Sequence, residues 1–429
     1  MDNHAVLSRI EKLQQSIEPI VSELTDCVRP PSRTDLHTVN LICGSSRCGS
    51  SWLFRYLSQS PFLASPRGEQ VPFEKLYLFS KLVHRKTDRL DAEDAHPALA
   101  DRIFRLLSLD LGHGPTTTDA DADYDCLLQI RLLLQFPKTL TPDVIYKELK
   151  SCPPGIRRFG ELLRRLAAKR LVRSEYYDND PAFYPGNNQV SSGPPDDELA
   201  LEETPFVPIL PRKRPPAGLP LVLKSSLHAY RLPFMQRFFP KSRLRLILLS
   251  RNPTASINGL MEGWQSRVGF YSYNVSLFGW KLSLRGYSEM HPFGKQWWKF
   301  DLPPIEKELL SASLASVCAH QWTSSYAHIL DFVDHHKEVS VFQLRYEELI
   351  QGQQRRQKVL GALAEFLEIP ALFAGNGMLP DGVIMATQQP QPGRWKRRFG
   401  EIIPLLRQPA LRQVCERLGY EQSEVASWI

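Results

Sequence analysis

Between an apolar run and a helix-forming stretch the chain carries Gly44-Ser45-Ser46-Arg47-Cys48-Gly49-Ser50-Ser51. Residues this small let the backbone curl until successive N–H groups converge, and the N-terminus of the following helix adds partial positive charge. The chemistry this supports is the holding of an anion, a phosphate above all. Two glycines five apart bring the segment near the nucleoside-triphosphate loop pattern, in which a Lys follows the second glycine; here that place is Ser50, and the cation comes earlier, at Arg47. An enzyme moving a phosphoryl group would use that Lys with magnesium to offset the charge, so its loss points away from kinases and nucleoside triphosphatases. Standing alone, the loop also reads as a ligand-free strand-to-helix turn. His335-His336 lack a Cys or paired carboxylates at ligand spacing and read as the last turn of a helix. Seven cysteines without CxxC pairs fit reduced thiols better than a disulfide framework or a zinc site.

Such a loop needs a strand before it and a helix behind it. HTVNLIC (37–43) is a short β-branched, apolar stretch of the buried-strand kind, and WLFRYLSQS follows the loop as a helix. Further strands are expected at 219–223 and 244–249, and VSVFQLRYEEL reads as a strand running into a helix. Strands separated by helices predict an α/β fold, a three-layer sandwich with a central parallel sheet. Residues 1–28 read as an amphipathic helix on Val6, Ile10, Leu13, Ile17, Ile20 and Leu24, ended by Pro30 and Pro31, and residues 311–337 as another helix. Residues 111–184 break the pattern, with three helical segments and then two short strands around an Asn-Asp-Pro turn, an order that looks like a winged-helix module inserted into the main fold. Nine prolines between Tyr184 and Pro220 mark residues 185–217 as an extended linker. The expected divisions are therefore 1–36 (first helix), 37–110 (with the loop at 43–52), 111–184, 185–217 and 218–429.

LICGSSRCGSSWL resembles the 5′-phosphosulfate loop of sulfotransferases that use 3′-phosphoadenosine 5′-phosphosulfate, where a Lys or Arg is followed by Ser-Gly-Thr/Ser-Thr/Ser and a Trp or Leu. The resemblance implies donor contacts from Arg47, Cys48, Gly49, Ser50, Ser51 and Trp52, with Cys48 replacing the usual Ser at the cost of one hydroxyl donor. LRLILLSRNPTASINGLMEGW is similar to the family's 3′-phosphate element, which places Arg251 on the phosphate in bidentate fashion and Pro253 in the first turn of a helix. The Ser that the family has eight residues after this Arg is Gly259 here, and Ser256 or Asn258 would substitute for it. Gly393, Arg394, Trp395 and Lys396 in QPGRWK resemble the late loop that closes over the nucleotide, and RQVCERLGYE the helix that follows it. The likeness covers about 38–84 and 218–429, and implies a P-loop-like sulfotransferase fold. A sulfuryl group carries less charge than a phosphoryl group, so arginines, lysines and backbone N–H groups suffice and no metal is expected.

Sulfuryl transfer to an alcohol needs a base for the acceptor proton and positive charge on the oxygen that leaves sulfur. In family members outside the animal cytosolic group the base is a Glu in a Gly-Glu or Pro-Glu setting after the first helix, which implies Glu69 here, with Glu74 as the fallback. LVLKSSLHAYRLPF resembles the Lys-Thr-His-Leu-Pro element of the cytosolic enzymes. It implies Lys224 as stabiliser of the leaving oxygen; Ser226 stands at the His position, and His228 returns to the same face if the strand continues. His320, beside Trp322 on a helix near the acceptor side, reads as packing or as a further catalytic group. Whether Glu69 or a His is the base stays open.

The net charge of +7 is mild for 429 residues, and 42% hydrophobic residues exclude a chain disordered throughout. No apolar run reaches the roughly 20 residues of a membrane-spanning helix, and MDNHAVLSRIEKLQQSIEPI carries charge where a signal peptide would be apolar, so a cytoplasmic protein is expected. Residues 155–174 hold seven Lys and Arg against Glu161 alone. Such a run suits a solvated face, a lid over the acceptor, or docking of a carrier or partner protein, better than nucleic-acid recognition. Eleven aromatics between Trp264 and Phe300 suggest either a ring-lined acceptor pocket or lid, or ordinary core. The resulting reading is a sulfotransferase acting on a hydroxyl of a sizeable apolar or aromatic small molecule, a natural-product tailoring enzyme that releases 3′-phosphoadenosine 5′-phosphate. The rival readings are a P-loop nucleotide kinase and a non-catalytic sulfotransferase-like module with a winged-helix docking domain.

Overall fold

The computed structural model describes residues 3–26, 32–66, 68–111, 129–136, 138–153, 158–172, 193–194, 201, 218–370 and 387–428. The first helix, α1 (Asn3–Asp26), buries Val6, Ile10, Leu13 and Ile17 along the expected stripe and accommodates Pro19 within it. Pro30 and Pro31, expected to end it, lie outside the described residues. The chain continues through β1 (Thr38–Cys43), α2 (Ser50–Leu57), α3 (Val71–Arg85) and α4 (Pro97–Asp110). In the inserted stretch α5 (129–135), α6 (Pro142–Lys150) and α7 (Arg158–Ala168) are described. Then come β2 (Leu221–Lys224), α8 (Leu232–Phe238), β3 (Arg243–Ser250), α9 (Pro253–Gln265), β4 (Tyr271–Asn274), β5 (Trp297–Lys299), α10 (Leu314–His335), β6 (Ser340–Arg345), α11 (Tyr346–Ile350) and α12 (Gln353–Leu367). α13 (Phe399–Ile402) and α14 (Pro409–Leu418) follow.

The main sheet is parallel, in the order β2-β1-β3-β6. Successive side chains of a strand face opposite ways, so a strand covered on both faces must be apolar throughout. That is what the sequence supplies. Val39, Leu41, Leu221, Leu223, Leu246 and Leu248 face the larger core, shared with α1, α3, α4, α9 and α10. Ile42, Val222, Ile247, Leu249 and Leu344 face the smaller one, shared with α2 and α12. The protein is thus an α/β three-layer sandwich on a central parallel sheet.

The inserted helices share the larger core through Ile130, Leu133, Ile145, Leu149, Leu162 and Leu166. The hairpin expected before residue 185 and nearly all of the proline-rich stretch lie outside the described residues. The basic run is partly neutralised within the fold: Glu161 accepts from both Arg164 and Arg165, and Lys169 pairs with Glu148.

The aromatic segment is core rather than the wall of an open pocket. Trp264, Tyr271, Tyr273, Tyr287, Trp297 and Trp298 are all at most 1% exposed. Trp264 meets Tyr287 and Trp298 edge to face at 4.8 and 5.0 Å, the arrangement ring quadrupoles favour. Lys299 is buried among these rings, its ammonium donating to the carbonyls of Gly263 and Ser266 and lying 4.3 Å from the Tyr271 ring centre. Burial there holds its pKa well below the ordinary lysine value.

Candidate active site

Sheet register brings the motifs to one edge. Ile42 lies beside Lys224, Cys43 beside Leu248 and Ser250 beside Arg345, so the 44–49 loop, Lys224 and Arg251 all leave the sheet at the carboxyl ends of neighbouring strands. In open parallel sheets that edge is where ligands bind. Gly44 is forced by space: a Cβ there would stand 2.2 Å from the Leu249 carbonyl oxygen. Gly49 adopts φ 96° as it opens α2, and its missing side chain leaves room for the Tyr346 ring. Arg47 also has a positive φ, 69°, an uncommon state for a residue with a side chain. Its guanidinium lies 5.2 Å from the centre of the Phe270 ring. A Cβ on Gly259 would be 3.4 Å from the Cβ of Arg47, so the position that carries Ser in the resembled family here packs against the loop's own arginine.

The loop is fastened from below. Ser46 Oγ donates to Asp301 Oδ1 at 2.9 Å, and Tyr230 donates its hydroxyl to Asp301 Oδ2 at 2.8 Å. Ser45 Oγ approaches the Tyr326 hydroxyl, which donates to the Leu249 carbonyl at 3.0 Å. Burial raises the Asp301 carboxyl to about 6, against the bonds from Tyr230 and Ser46 that favour its ionised form. The Cys48 side chain is fully buried and packs in the smaller core. Burial pushes that thiol up, while hydrogen bonding with Ser50 and, after it, the charges of Lys224 and Arg251 pull it down; those cations leave β2 and β3, the two neighbours of β1. Ser50 is buried and Ser51 half-buried in the first turn of α2, and Trp52 stacks on Tyr56.

Arg251 stands where β3 turns into α9. Asn252 caps that helix, accepting from the Ala255 N–H at 2.8 Å, and gives its own N–H and amide to Glu347 at 2.9 and 2.7 Å. Tyr420, from the Leu-Gly-Tyr segment, donates to the other Glu347 oxygen at 2.9 Å. The Arg251 guanidinium donates to the Arg47 carbonyl at 3.3 Å and lies 5.0 Å over the Tyr346 ring, with no carboxylate pairing it among the described residues. Ser256 and Asn258 are already engaged. Ser256 is fully buried and donates to the Arg251 carbonyl, while Asn258 bonds Glu262 and Arg398.

In the late loop, Gly393 takes φ 64° ahead of a turn of 3-10 helix formed by Arg394–Arg398. Arg394 pairs with Glu262 and donates to the Gln388 and Gln389 carbonyls; Trp395 is buried and donates to the Trp428 carbonyl; Lys396 is exposed. Arg398, which the sequence reading passed over, donates to Asn258 and Gln265 and helps fasten this segment onto α9.

Glu69 lies just before α3, and one of its carboxylate oxygens receives the Lys224 ammonium. The side chains are 22% and 8% exposed, so this ion pair is partly withdrawn from water. The other Glu69 oxygen is buried and has no hydrogen-bond partner among the described residues. Glu74 is committed elsewhere, to the fully buried Arg231, which also holds Asp88. His228 does not lie on a continuing strand. Ser225 accepts from the Leu227 N–H and turns the chain into a 3-10 helix at Ser226–Tyr230, so the expected alternation fails. His228 is buried completely against the Gln70 amide, and desolvation, with Arg231 and Lys224 nearby, lowers its pKa to about 3. His320 bonds the Pro304 carbonyl at 3.1 Å and borders a separate hollow of about 510 Å³ with Pro304, Ile305, Glu306 and Leu309. Burial lowers its pKa as well. No group of His, Cys, Asp or Glu among the described residues could hold a metal ion.

The sequence reading also missed Asp301 and Glu347, the carboxylates that fix the loop and the Arg251 turn. Asp301 is a lone acid in an apolar run, and Glu347 is one of two adjacent glutamates at a helix start with nothing to single it out. The one signal for Asp301 was its place in Trp-Trp-Lys-Phe-Asp-Leu, an acid among residues destined for core.

No family model matches the chain, and no curated protein does. Among solved structures it is similar to the sulfotransferase domain from the curacin biosynthetic pathway, with 16% identity, 90% of this chain and 99% of that one covered, and a TM-score of 0.39. The sulfotransferase domain of the Synechococcus PCC 7002 olefin synthase gives 13% identity over 92% and 98%, with a TM-score of 0.36. The sulfotransferase from Alicyclobacillus acidocaldarius gives 12% over 91% and 98%, with a TM-score of 0.35. Likeness at this level carries nothing about activity.

Proposed function

We propose that this chain is a sulfotransferase that moves a sulfuryl group from 3′-phosphoadenosine 5′-phosphosulfate to a hydroxyl of a small molecule, without a metal. One observation carries the reading: the Arg47 loop, the Arg251 turn and Lys224, far apart in sequence, meet at one edge of the sheet, with Lys224 on the Glu69 carboxylate. The residues suit the donor. Backbone N–H groups of the 44–49 loop and the start of α2 take the 5′-phosphosulfate, and Arg251, which no carboxylate pairs among the described residues, takes the 3′-phosphate.

In the proposed step the acceptor oxygen bonds to sulfur as the bond from sulfur to the bridging oxygen breaks. The acceptor proton passes to Glu69, and 3′-phosphoadenosine 5′-phosphate leaves, its new charge met by Lys224 and the loop N–H groups. Lys224 is thereby asked to exchange one anion for another: Glu69 before the donor arrives, the bridging oxygen as the bond breaks. Ser256 and Asn258 are not needed as phosphate ligands in this scheme. A sizeable apolar or aromatic acceptor, and with it a tailoring role, belongs to the same proposal and is tested with it.

The test is mass spectrometry of a pool of hydroxyl-bearing metabolites incubated with the donor. One compound should gain a single sulfuryl group with release of an equal amount of 3′-phosphoadenosine 5′-phosphate. Persistence of the donor without either product would count against the reading.

A further inference from the structure

The inserted stretch reaches the site through one side chain. Arg131, on α5, is 1% exposed and donates to Asp110 Oδ2, at the end of α4, at 2.7 Å. The same guanidinium nitrogen donates to the Glu69 carbonyl at 3.2 Å, and Asp110 Oδ2 accepts from the Gly68 N–H at 3.3 Å. The guanidinium lies flat against Gly68, where a Cβ would come within 2.8 Å of its carbon and both terminal nitrogens. Its other face covers the Phe73 ring, 5.0 Å from the centroid. The Gly68-Glu69 dipeptide is therefore held at both ends, N–H on Asp110 and C=O on Arg131, by a buried charge pair drawn from two elements.

We infer that Arg131 is a positioning residue: with Asp110 it clamps the Gly68-Glu69 backbone and so aims the Glu69 carboxylate at Lys224, which makes the insertion part of the catalytic machinery rather than an appended docking module. The inference rests on the role proposed for Glu69. A rigid planar fork is what this contact uses, satisfying a carbonyl and a carboxylate while stacking on a ring; a lysine ammonium does not reproduce it. Gly68 fits the same requirement, since any side chain there would lift the guanidinium away.

Removing one member of a buried charge pair can unfold a protein, whereas replacing both with apolar residues is far better tolerated. The test therefore compares Arg131→Lys with the double variant Arg131→Met/Asp110→Leu in the full chain. Lysine acetylation by acetic anhydride is followed by mass spectrometry, and no acceptor is required. In the wild type Lys224 is shielded by its pairing and burial. Both variants should raise its labelling rate by about fivefold or more, to the level expected of Glu69→Gln, with Lys299, buried in the aromatic core, staying unreactive. Wild-type protection of Lys224 in both variants overturns the clamp. A parallel rise at Lys299 also overturns it, because it shows general loosening instead of lost positioning. Binding of 3′-phosphoadenosine 5′-phosphate by the wild type, measured separately, tests the sulfotransferase reading, so failure of one is distinguishable from failure of the other.

Discussion

Glu69 and Lys224 form an ion pair that water only partly screens, and the other carboxylate oxygen is buried with no partner among the described residues. A base that need only accept a proton is most economically tested by Glu69→Gln, which keeps shape and removes basicity. Affinity for 3′-phosphoadenosine 5′-phosphate should change by less than about threefold while turnover falls by about 10²- to 10⁴-fold; wild-type turnover would discard the assignment. Asp301 offers a test of a different kind. Its ordinary value is 3.8 and burial raises it to about 6, so between those values the folded state holds a proton that the unfolded chain has released. Stability contributed by this group therefore falls as pH rises from about 4 to 6, by about 1–3 kcal/mol. Asp301→Asn removes that loss, and urea unfolding across this range should show the variant gaining on the wild type as pH rises; a pH-independent difference would contradict the burial argument. At this scale the sequence was legible where residues come in spaced sets. Arg47, Arg251, Lys224 and Glu69 each sit in a patterned segment, and the structure brings them together. Asp301, Glu347 and the Arg131–Asp110 pair act across more than 20 residues with no local spacing, and only the apolar setting of Asp301 hinted at any of them.

Among elements, the turn from β3 into α9 is the one on which the Arg251 contact depends. Asn252 caps the helix and also satisfies the buried Glu347. Asn252→Ala should cost about 2–4 kcal/mol in urea unfolding, the loss of a cap plus an acceptor stripped of one bond, and should weaken nucleotide binding through Arg251. A cost below about 0.5 kcal/mol would show that Pro253 and packing hold the turn without it. The strands were legible because burial on both faces demands an unbroken apolar run, and β1, β2 and β3 fall within two residues of their expected limits. The segment after β2 was not. Ser225 caps a 3-10 helix where alternation had been expected, so His228 is not on a strand face but is buried beside Gln70. The aromatic segment was ambiguous for a related reason: composition reports that rings cluster, and only packing decides whether they face each other or a cavity.

At the scale of the whole molecule, a two-sided parallel sheet gathers segments near residues 47, 69, 224 and 251 to its carboxyl edge, while later segments lock the arrangement from outside. Tyr420 reaches Glu347, Arg394 reaches Glu262, and Trp395 reaches the Trp428 carbonyl. No described helix is long and apolar enough to cross a membrane. The fold class followed from alternation of strands and helices, but the insertion's contribution to the core did not, since its helices look self-sufficient in sequence and only their shared burial in the larger core, with Arg131 on Phe73 and Asp110, joins them to the rest. The central claim is that the gathered cations bind a 3′-phosphorylated nucleotide without a metal. Calorimetric titration of the full chain with 3′-phosphoadenosine 5′-phosphate in the presence of EDTA tests this most directly. Saturable one-to-one binding is predicted, unchanged by added magnesium and weakened about 10- to 100-fold by Arg251→Ala. Absence of binding, or a preference for ATP that appears only with magnesium, would contradict it.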